Sequence, residues 1–235
     1  MTDLDPVTLE VLRNRLDTIA EEMESTLLRS SCSPLVKEGL DASASLFTLD
    51  GVTLAQACAI PIHLGTLIPA VGKIIETFPV AQMREGDVYI LNDPYCGGTH
   101  LPDVAVVMPV MAEGRPLALA AAMTHHQDVG GKTAGSVPTD STEIWQEGLR
   151  LPALRWAREG AFDPGLTEIL RLNTRVPEVF LGDLHAQVAA CKVAAIRLGE
   201  TAAPHGEVCE ACGSASMRMI EGCATCADCG FSKCA

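Results

Sequence analysis

DVYILNDPYCGGTHLPDVAVVMPVMAEGRPLALAAAMTHHQDVGG, residues 87–131, holds three apolar runs and two polar loops. Residues 87–92 read as a strand that runs straight into DPYCGGTHLPD. Residues 104–110 and 117–124 are further runs of Val, Ala, Leu and Met, split by AEGRP, and they read as paired strands. HHQDVGGKTAGSVP follows at once. Two loops rich in Gly, Asp and His therefore leave the ends of buried strands, a common place for chemistry.

The flanking sequence supplies helices and shorter strands. Residues 6–30 read as an amphipathic helix, with Asp5 as cap, Pro6 in the first turn, and Leu9, Leu12, Leu16, Ile19, Met23 and Leu27 at helical spacing. Residues 43–47 and 53–56 are strand candidates around the Asp50-Gly51 turn. Residues 64–78 look helical, with Pro69 in an early turn or at a kink. Residues 177–198 form a last amphipathic helix opened by Pro177. The expected class is α+β, with mixed strands and packed helices presenting metal-binding loops.

Composition narrows the function. The chain has 235 residues, 48% of them hydrophobic and 20% charged, which favours a folded globule over disorder. The net charge of −13 lacks the basic footprint of a nucleic-acid binder or of a face for anionic membranes. No uninterrupted apolar run reaches the ~18–20 residues of a membrane span. The acidic start MTDLDPVTLE carries no signal-peptide pattern, so the expected compartment is the cytoplasm.

His100 and Asp103 lie in one of the two loops, and His125 and His126 open the other. Two imidazoles and a carboxylate suit Zn²⁺, Mn²⁺ or Fe²⁺ and leave positions open for water or substrate. Gly97, Gly98, Gly130 and Gly131 would let the backbone approach such a site. Strand-end residues of these types are also ordinary turn formers, so spacing alone leaves both readings open. Cys96, in the same loop, is a lesser candidate for ligand or nucleophile, and Cys58 and Cys191 read as core residues.

Six of the ten cysteines fall after residue 208. This shift divides the chain into a domain at 1–200, a linker at 201–208 and a Cys-rich tail at 209–235. Cys209-x2-Cys212-Gly and Cys226-x2-Cys229-Gly have the spacing of two zinc knuckles, which points to structural Zn²⁺. Cys223 and Cys234 are left over, as an alternative ligand or a dithiol pair. The tail resembles the zinc-ribbon end of adenosylcobalamin-dependent ribonucleotide reductases through EGCATCADCGFSKC.

The main body resembles the hydantoinase B/5-oxoprolinase family. The motifs are LNDPYCGGTHLPDVAVVMPV, MTHHQDVGG, EIWQEGLRLPAL, LAQACAIPIHLGT, RLNTRVPEVFLGDLHAQVAACKVA and the opening DPVTLEVLRNRL, across residues 5 to about 200. The resemblance implies a metal centre at His100, Asp103 and His125, with Asp41 of LDASASLF as a fourth ligand. His126 and Asp128 would support it or handle protons, and His63 and Glu147 are further candidates. It also implies hydrolysis of a cyclic amide (5-oxoproline, a hydantoin or a lactam) in a hetero-oligomer with a hydantoinase A-like ATPase subunit. ATP would bind that partner, in keeping with the absence of a Walker loop from this sequence. A carboxylase subunit of the acetone or acetophenone type is one alternative. Members of the family are usually more than twice as long, so a truncated, non-catalytic scaffold with a zinc ribbon is another.

Overall fold

The structure is a computed structural model that describes residues 5–57, 60–202, 211–212, 217–220, 223–226 and 229–234. Two compact units divide the chain, residues 1–197 and 198–235.

The first unit is built on a seven-stranded antiparallel sheet. Its strands are β1 (Ala42–Phe47), β2 (Thr53–Gln56), β3 (Val88–Leu91), β4 (Asp103–Ala112), β5 (Arg115–His125), β6 (Leu154–Arg158) and β7 (Ala161–Phe162), in the order β2-β1-β5-β4-β3-β6-β7. The central pair is the β4–β5 hairpin. Its two turn residues, Glu113 and Gly114, have φ of 50° and 73°, the left-handed conformations that match the twist of a tight hairpin. The register runs from Ala112↔Arg115 at the turn to Asp103↔His125 at the far end.

The helices are α1 (Pro6–Ser30), the single turn α2 (Pro34–Lys37), α3 (Pro61–Thr77), α4 (Pro164–Leu172) and α5 (Pro177–Ala202). Asp5 caps α1 by accepting from the N–H groups of Val7 and Thr8. Successive strand residues face opposite sides of a sheet. On one face Phe47, Leu91, Ala105, Val107, Leu119, Ala121 and Met123 pack under Leu67, Ala70, Val71 and Ile74 of α3. Each such large side chain contributes roughly 1.5–3 kcal/mol when fully buried. On the other face Leu46, Val104, Val106, Ala120 and Ala122 are equally buried. There α1 lies against β1 and β2, and α5 reaches the carbonyls of β4 and β5 through Gln187 and Cys191. Arg197 of α5 and Glu22 of α1 are paired at 2.7 Å.

Several expectations change. Helix α3 begins at Pro61, three residues earlier than its periodicity suggested, so Pro69 is interior to it. Residues 154–172, whose pattern carries no clear period, form β6, β7 and α4, fixed by buried Trp156, whose Nε1 donates to Thr167 Oγ1 at 3.0 Å. The stretch Pro177–Gly199, although interrupted by charged residues, is long and apolar enough on average to cross a membrane by length and composition. In this fold 56% of that window is buried, and its apolar residues cover the sheet. Helix α5 also continues to Ala202, into the stretch expected to be a linker.

The second unit contains a three-stranded antiparallel sheet, β8 (Met217–Ile220), β9 (Cys223–Cys226) and β10 (Ser232–Cys234), in the order β10-β9-β8. Cys209 and Cys58 lie outside the described residues. Cys212 and Cys229 are exposed, and Gly230 follows Cys229 with φ 74°, the conformation expected of glycine at a knuckle turn.

Candidate metal centre

Asp103, the first residue of β4, is the register partner of His125, the last of β5. The N–H of His125 in turn donates to the carbonyl of Asp41, just ahead of β1. Three neighbouring strands thus end in a row of Asp41, His125 and Asp103. By strand alternation all three share the face covered by α3, because Phe47, Met123 and Ala105 on that face are two or more even steps away. The first turn of α3 brings His63 over the row, and the loop between β3 and β4 brings His100.

The contacts are close. His100 Nε2 lies 3.1 Å from His125 Nδ1 and 3.2 Å from Asp103 Oδ1. His125 Nδ1 is 3.4 Å from Asp103 Oδ1 and 3.8 Å from Asp41 Oδ2. His63 Nε2 faces Asp103 Oδ2 at 3.2 Å and Asp41 Oδ1 at 3.5 Å. Thr99 donates its hydroxyl to Asp103 Oδ2. Exposure rises from the floor outward: the Asp103 side chain is 3% exposed and that of His100 47%. The cluster is therefore anchored below and open above.

This donor set fits a divalent cation. Asp103 Oδ1 is buried without a hydrogen-bond partner, yet two imidazole nitrogens converge on it. Metal–nitrogen and metal–oxygen bonds of about 2.1 Å place neighbouring donor atoms roughly 3.0–3.4 Å apart. The spacings among His100, Asp103 and His125 fall in that range. Burial pushes the Asp103 carboxyl upward, but the imidazoles of His100, His125 and His63 around it outweigh that and hold the acid well below the usual carboxylate range. The nearby Asp103 carboxylate in turn raises His100 above an ordinary imidazole, against the effect of burial.

Other residues named from the sequence are placed differently. His126 follows His125 and so falls on the opposite face, fully buried, with Nε2 3.1 Å from Gln187 Oε1 and its ring 4.5 Å from Phe180. Burial pushes its pKa down to about 4. Asp128 is held by the N–H groups of Gly130, Gly135 and Arg175 and by the Arg175 guanidinium at 2.9 Å. Glu147 is half-buried on the loop before β6, and its charge contributes to the raised pKa of His100. Cys96 is partly buried 3.8 Å from Asp93 Oδ2, and Cys191 is a core residue. The glycines serve the loops and leave the centre itself untouched. A Cβ on Gly97 would stand 2.7 Å from the Pro69 carbonyl carbon in α3, and one on Gly131 2.6 Å from the Gln146 oxygen.

Asn92 carries a role the sequence pattern did not assign. Its amide donates to the carbonyls of Leu101 and Leu149 and accepts from the N–H of Leu151, all at 2.9 Å or less. It ties the His100 loop to the Glu147 loop. A polar residue directly after an apolar strand was the available signal. A cleft of about 420 Å³ lies along the second loop, lined by Gly131, Trp145, Leu149, Arg150 and Asn173 among others.

A family model described as hydantoinase B/oxoprolinase matches residues 5–223. The chain belongs to this family. Among hydantoinase B/oxoprolinase relatives, a 5-oxoprolinase of Dictyostelium discoideum is 39% identical over 189 residues, covering 80% of this chain and 15% of that protein. The caprolactamase subunit beta of Pseudomonas jessenii is 36% identical over 193 residues, covering 82% and 33%. The crystal structure of the ATP-dependent caprolactamase from Pseudomonas jessenii superposes with a TM-score of 0.79 at 33% identity, over 87% of this chain and 35% of that one. A nucleotide-free acetone carboxylase structure gives the same TM-score at 21% identity, a likeness of fold alone, over 86% and 27%. The chain thus spans roughly a seventh to a third of the length of these hydantoinase B/oxoprolinase relatives.

Proposed function

We propose that this chain is the metal-binding part of an ATP-dependent cyclic-amide hydrolase, acting on 5-oxoproline, a hydantoin or a lactam once an ATPase partner has activated the substrate. The observation that carries the reading is the convergence of His100, Asp103 and His125 around an unpartnered, buried carboxylate oxygen. The names of the oxoprolinase and caprolactamase relatives supply the substrate class. The caprolactamase relative is named as a subunit, which supports a hetero-oligomer with a hydantoinase A-like ATPase partner.

His100, Asp103 and His125 would hold the ion, Asp41 would complete the set, and Zn²⁺, Mn²⁺ and Fe²⁺ all suit these donors. A divalent cation supplies Lewis acidity toward an amide carbonyl and acidifies water. The protein's own contribution is positioning. His63 spans both carboxylates from the buried side and fixes their orientation. His100 stands at the open mouth with Glu147 nearby, where a substrate would enter. Asn92 joins the two loops that border this mouth.

We further propose that Cys209, Cys212, Cys226 and Cys229 hold a structural Zn²⁺ in the tail. The support is their paired spacing and the left-handed glycine after Cys229.

Elemental mass spectrometry on the full chain tests both parts. The expected content is two metal equivalents. One should leave in the combined His100→Ala, Asp103→Ala, His125→Ala variant and the other in Cys226→Ser, Cys229→Ser. If all metal leaves with the cysteines, the main unit is metal-free and the non-catalytic scaffold becomes the better reading. Lactam hydrolysis that requires ATP and the partner, and that the triple variant loses, tests the reaction itself.

A further inference from the structure

Helix α5 places Asp183, Gln187 and Cys191 four residues apart, so they form one stripe along it. All three are fully buried on the face of the sheet opposite the candidate centre. Asp183 Oδ1 accepts from the N–H groups of Cys32 and Ser33, at 2.6 and 3.1 Å, and so holds the turn between α1 and α2. Cys191 leans on the carbonyl of Ala120 at 3.6 Å. Gln187 has the richest set. Its Nε2 donates to the carbonyls of Val104 at 2.7 Å and Ala122 at 3.0 Å, and its Oε1 lies 3.1 Å from His126 Nε2.

The location of these bonds is informative. His126 Nε2 also faces Thr124 Oγ1 at 3.2 Å, and the His126 N–H donates to the carbonyl of Pro102 at 2.8 Å. Asp103 is thus flanked by Pro102 and Val104, and His125 by Thr124 and His126. Gln187 holds Val104 and the His126 ring directly, and that ring in turn meets Thr124. Asp103↔His125 is the terminal pair of its ladder, with no further β4–β5 pair beyond it. Strand ends are where sheets open most readily. An apolar side chain could fill the volume of Gln187 without the desolvation cost of a buried amide.

We propose that Gln187 is a positioning residue that fixes the spacing of Asp103 and His125 from the far side of the sheet, an inference that rests on the metal-centre reading above. Among the described residues, α5 makes no hydrogen bond or ion pair to the ion's donor side chains. It sets their separation by pinning the carbonyls of Val104 and Ala122 on the two strands and the ring of His126 beside His125.

Mn²⁺ is the probe, because carboxylate and imidazole suit it and the thiolates of the tail do not. Titration of the full chain, followed by the electron paramagnetic resonance of free and bound Mn²⁺, gives affinity and a signature of site symmetry together. Gln187→Met keeps the volume and removes the bonds. It should weaken Mn²⁺ by about 10-fold or more, the effect of losing an outer support of a metal site, and alter the bound spectrum. Cys191→Ala, on the same stripe, should lower the unfolding midpoint yet leave Mn²⁺ affinity within about 2-fold of the native chain. If Gln187→Met does not fold, His126→Phe cuts the same network from its other end and is expected to weaken Mn²⁺ likewise. Native affinity and spectrum in whichever of the two is folded would overturn the proposal. A native chain that takes up no Mn²⁺, Zn²⁺ or Fe²⁺ outside its tail overturns the metal-centre reading and this inference with it, so the two failures look different.

Discussion

Asp103 and Asp128 are both buried aspartates beside the same pair of strands, yet their surroundings differ in kind. Asp128 Oδ1 accepts from the N–H groups of Gly130 and Arg175, and Oδ2 from the N–H of Gly135 and the Arg175 guanidinium. These N–H groups donate fixed protons, and the Arg175 side chain also closes on the carbonyls of Gly130, Gly131 and Thr133. Asp103 is surrounded by imidazoles, whose nitrogens can give a proton or a lone pair, and one of its oxygens has no hydrogen-bond partner. A saturated carboxylate builds a loop. An unsaturated one among lone-pair donors is suited to a cation.

The largest expected effect breaks this contrast from the metal side. Asp103→Asn should abolish tight metal binding in the main unit, a loss above the ~100-fold seen for outer supports of metal sites. Its unfolding free energy without metal should fall as well, because the three imidazoles lose the carboxylate charge they surround. Calorimetric metal titration and urea unfolding of the same sample give both numbers. Asp128→Ala should cost stability alone. Removing a carboxylate that accepts from three backbone N–H groups and a guanidinium costs about 1.5–3 kcal/mol, with metal content unchanged at temperatures where the protein is folded. Comparable metal loss in both variants would erase the distinction.

A smaller effect is expected at Gly131, which has φ 81° and no room for a Cβ beside Gln146 and Glu147. Gly131→Ala should cost about 1–2 kcal/mol through the left-handed backbone alone, and more with the clash. The smallest effect concerns pH. Burial pushes the Asp128 carboxyl up, but its donors outweigh that and hold it below the ordinary value. Its contribution is therefore complete above the unfolded pKa of about 3.9 and is lost as pH falls through the folded value. Asp128→Asn should flatten the acid limb of a stability–pH curve below about pH 4 and leave neutral pH dependence alone.

Much of this contrast is legible in the sequence. The apolar runs mark β3, β4 and β5 to within a few residues, and the capped, periodic stretches mark α1 and α5. The loops between them hold His100, Asp103 and His125. Strand alternation alone separates His125 from His126, since neighbours in a strand face opposite sides. Applied to the run THH, that rule by itself sends His126 to the back of the sheet. Other features are not accessible from pattern. His63 joins the cluster only because α3 crosses β1, β5 and β4, a long-range packing with no local signal. Strands β6 and β7 are short and carry Arg155 and Arg158, so their alternation is weak. Asp128 enters only through what the family resemblance implies, since an aspartate beside glycines reads alike in sequence whether it serves a ligand or a loop.

The β4–β5 hairpin also sets an order of events. Its tight turn makes it the most local long pairing in the sheet, and hairpins of this kind close within microseconds from the turn outward. Asp103 and His125 are the pair farthest from that turn, about 30 Å along the strands. They meet only after the rest of the ladder has zipped. Asp41 and His63 come from elements distant in sequence and join that pair only when β1 and α3 pack on the hairpin, so an added divalent cation should slow unfolding more than it speeds refolding.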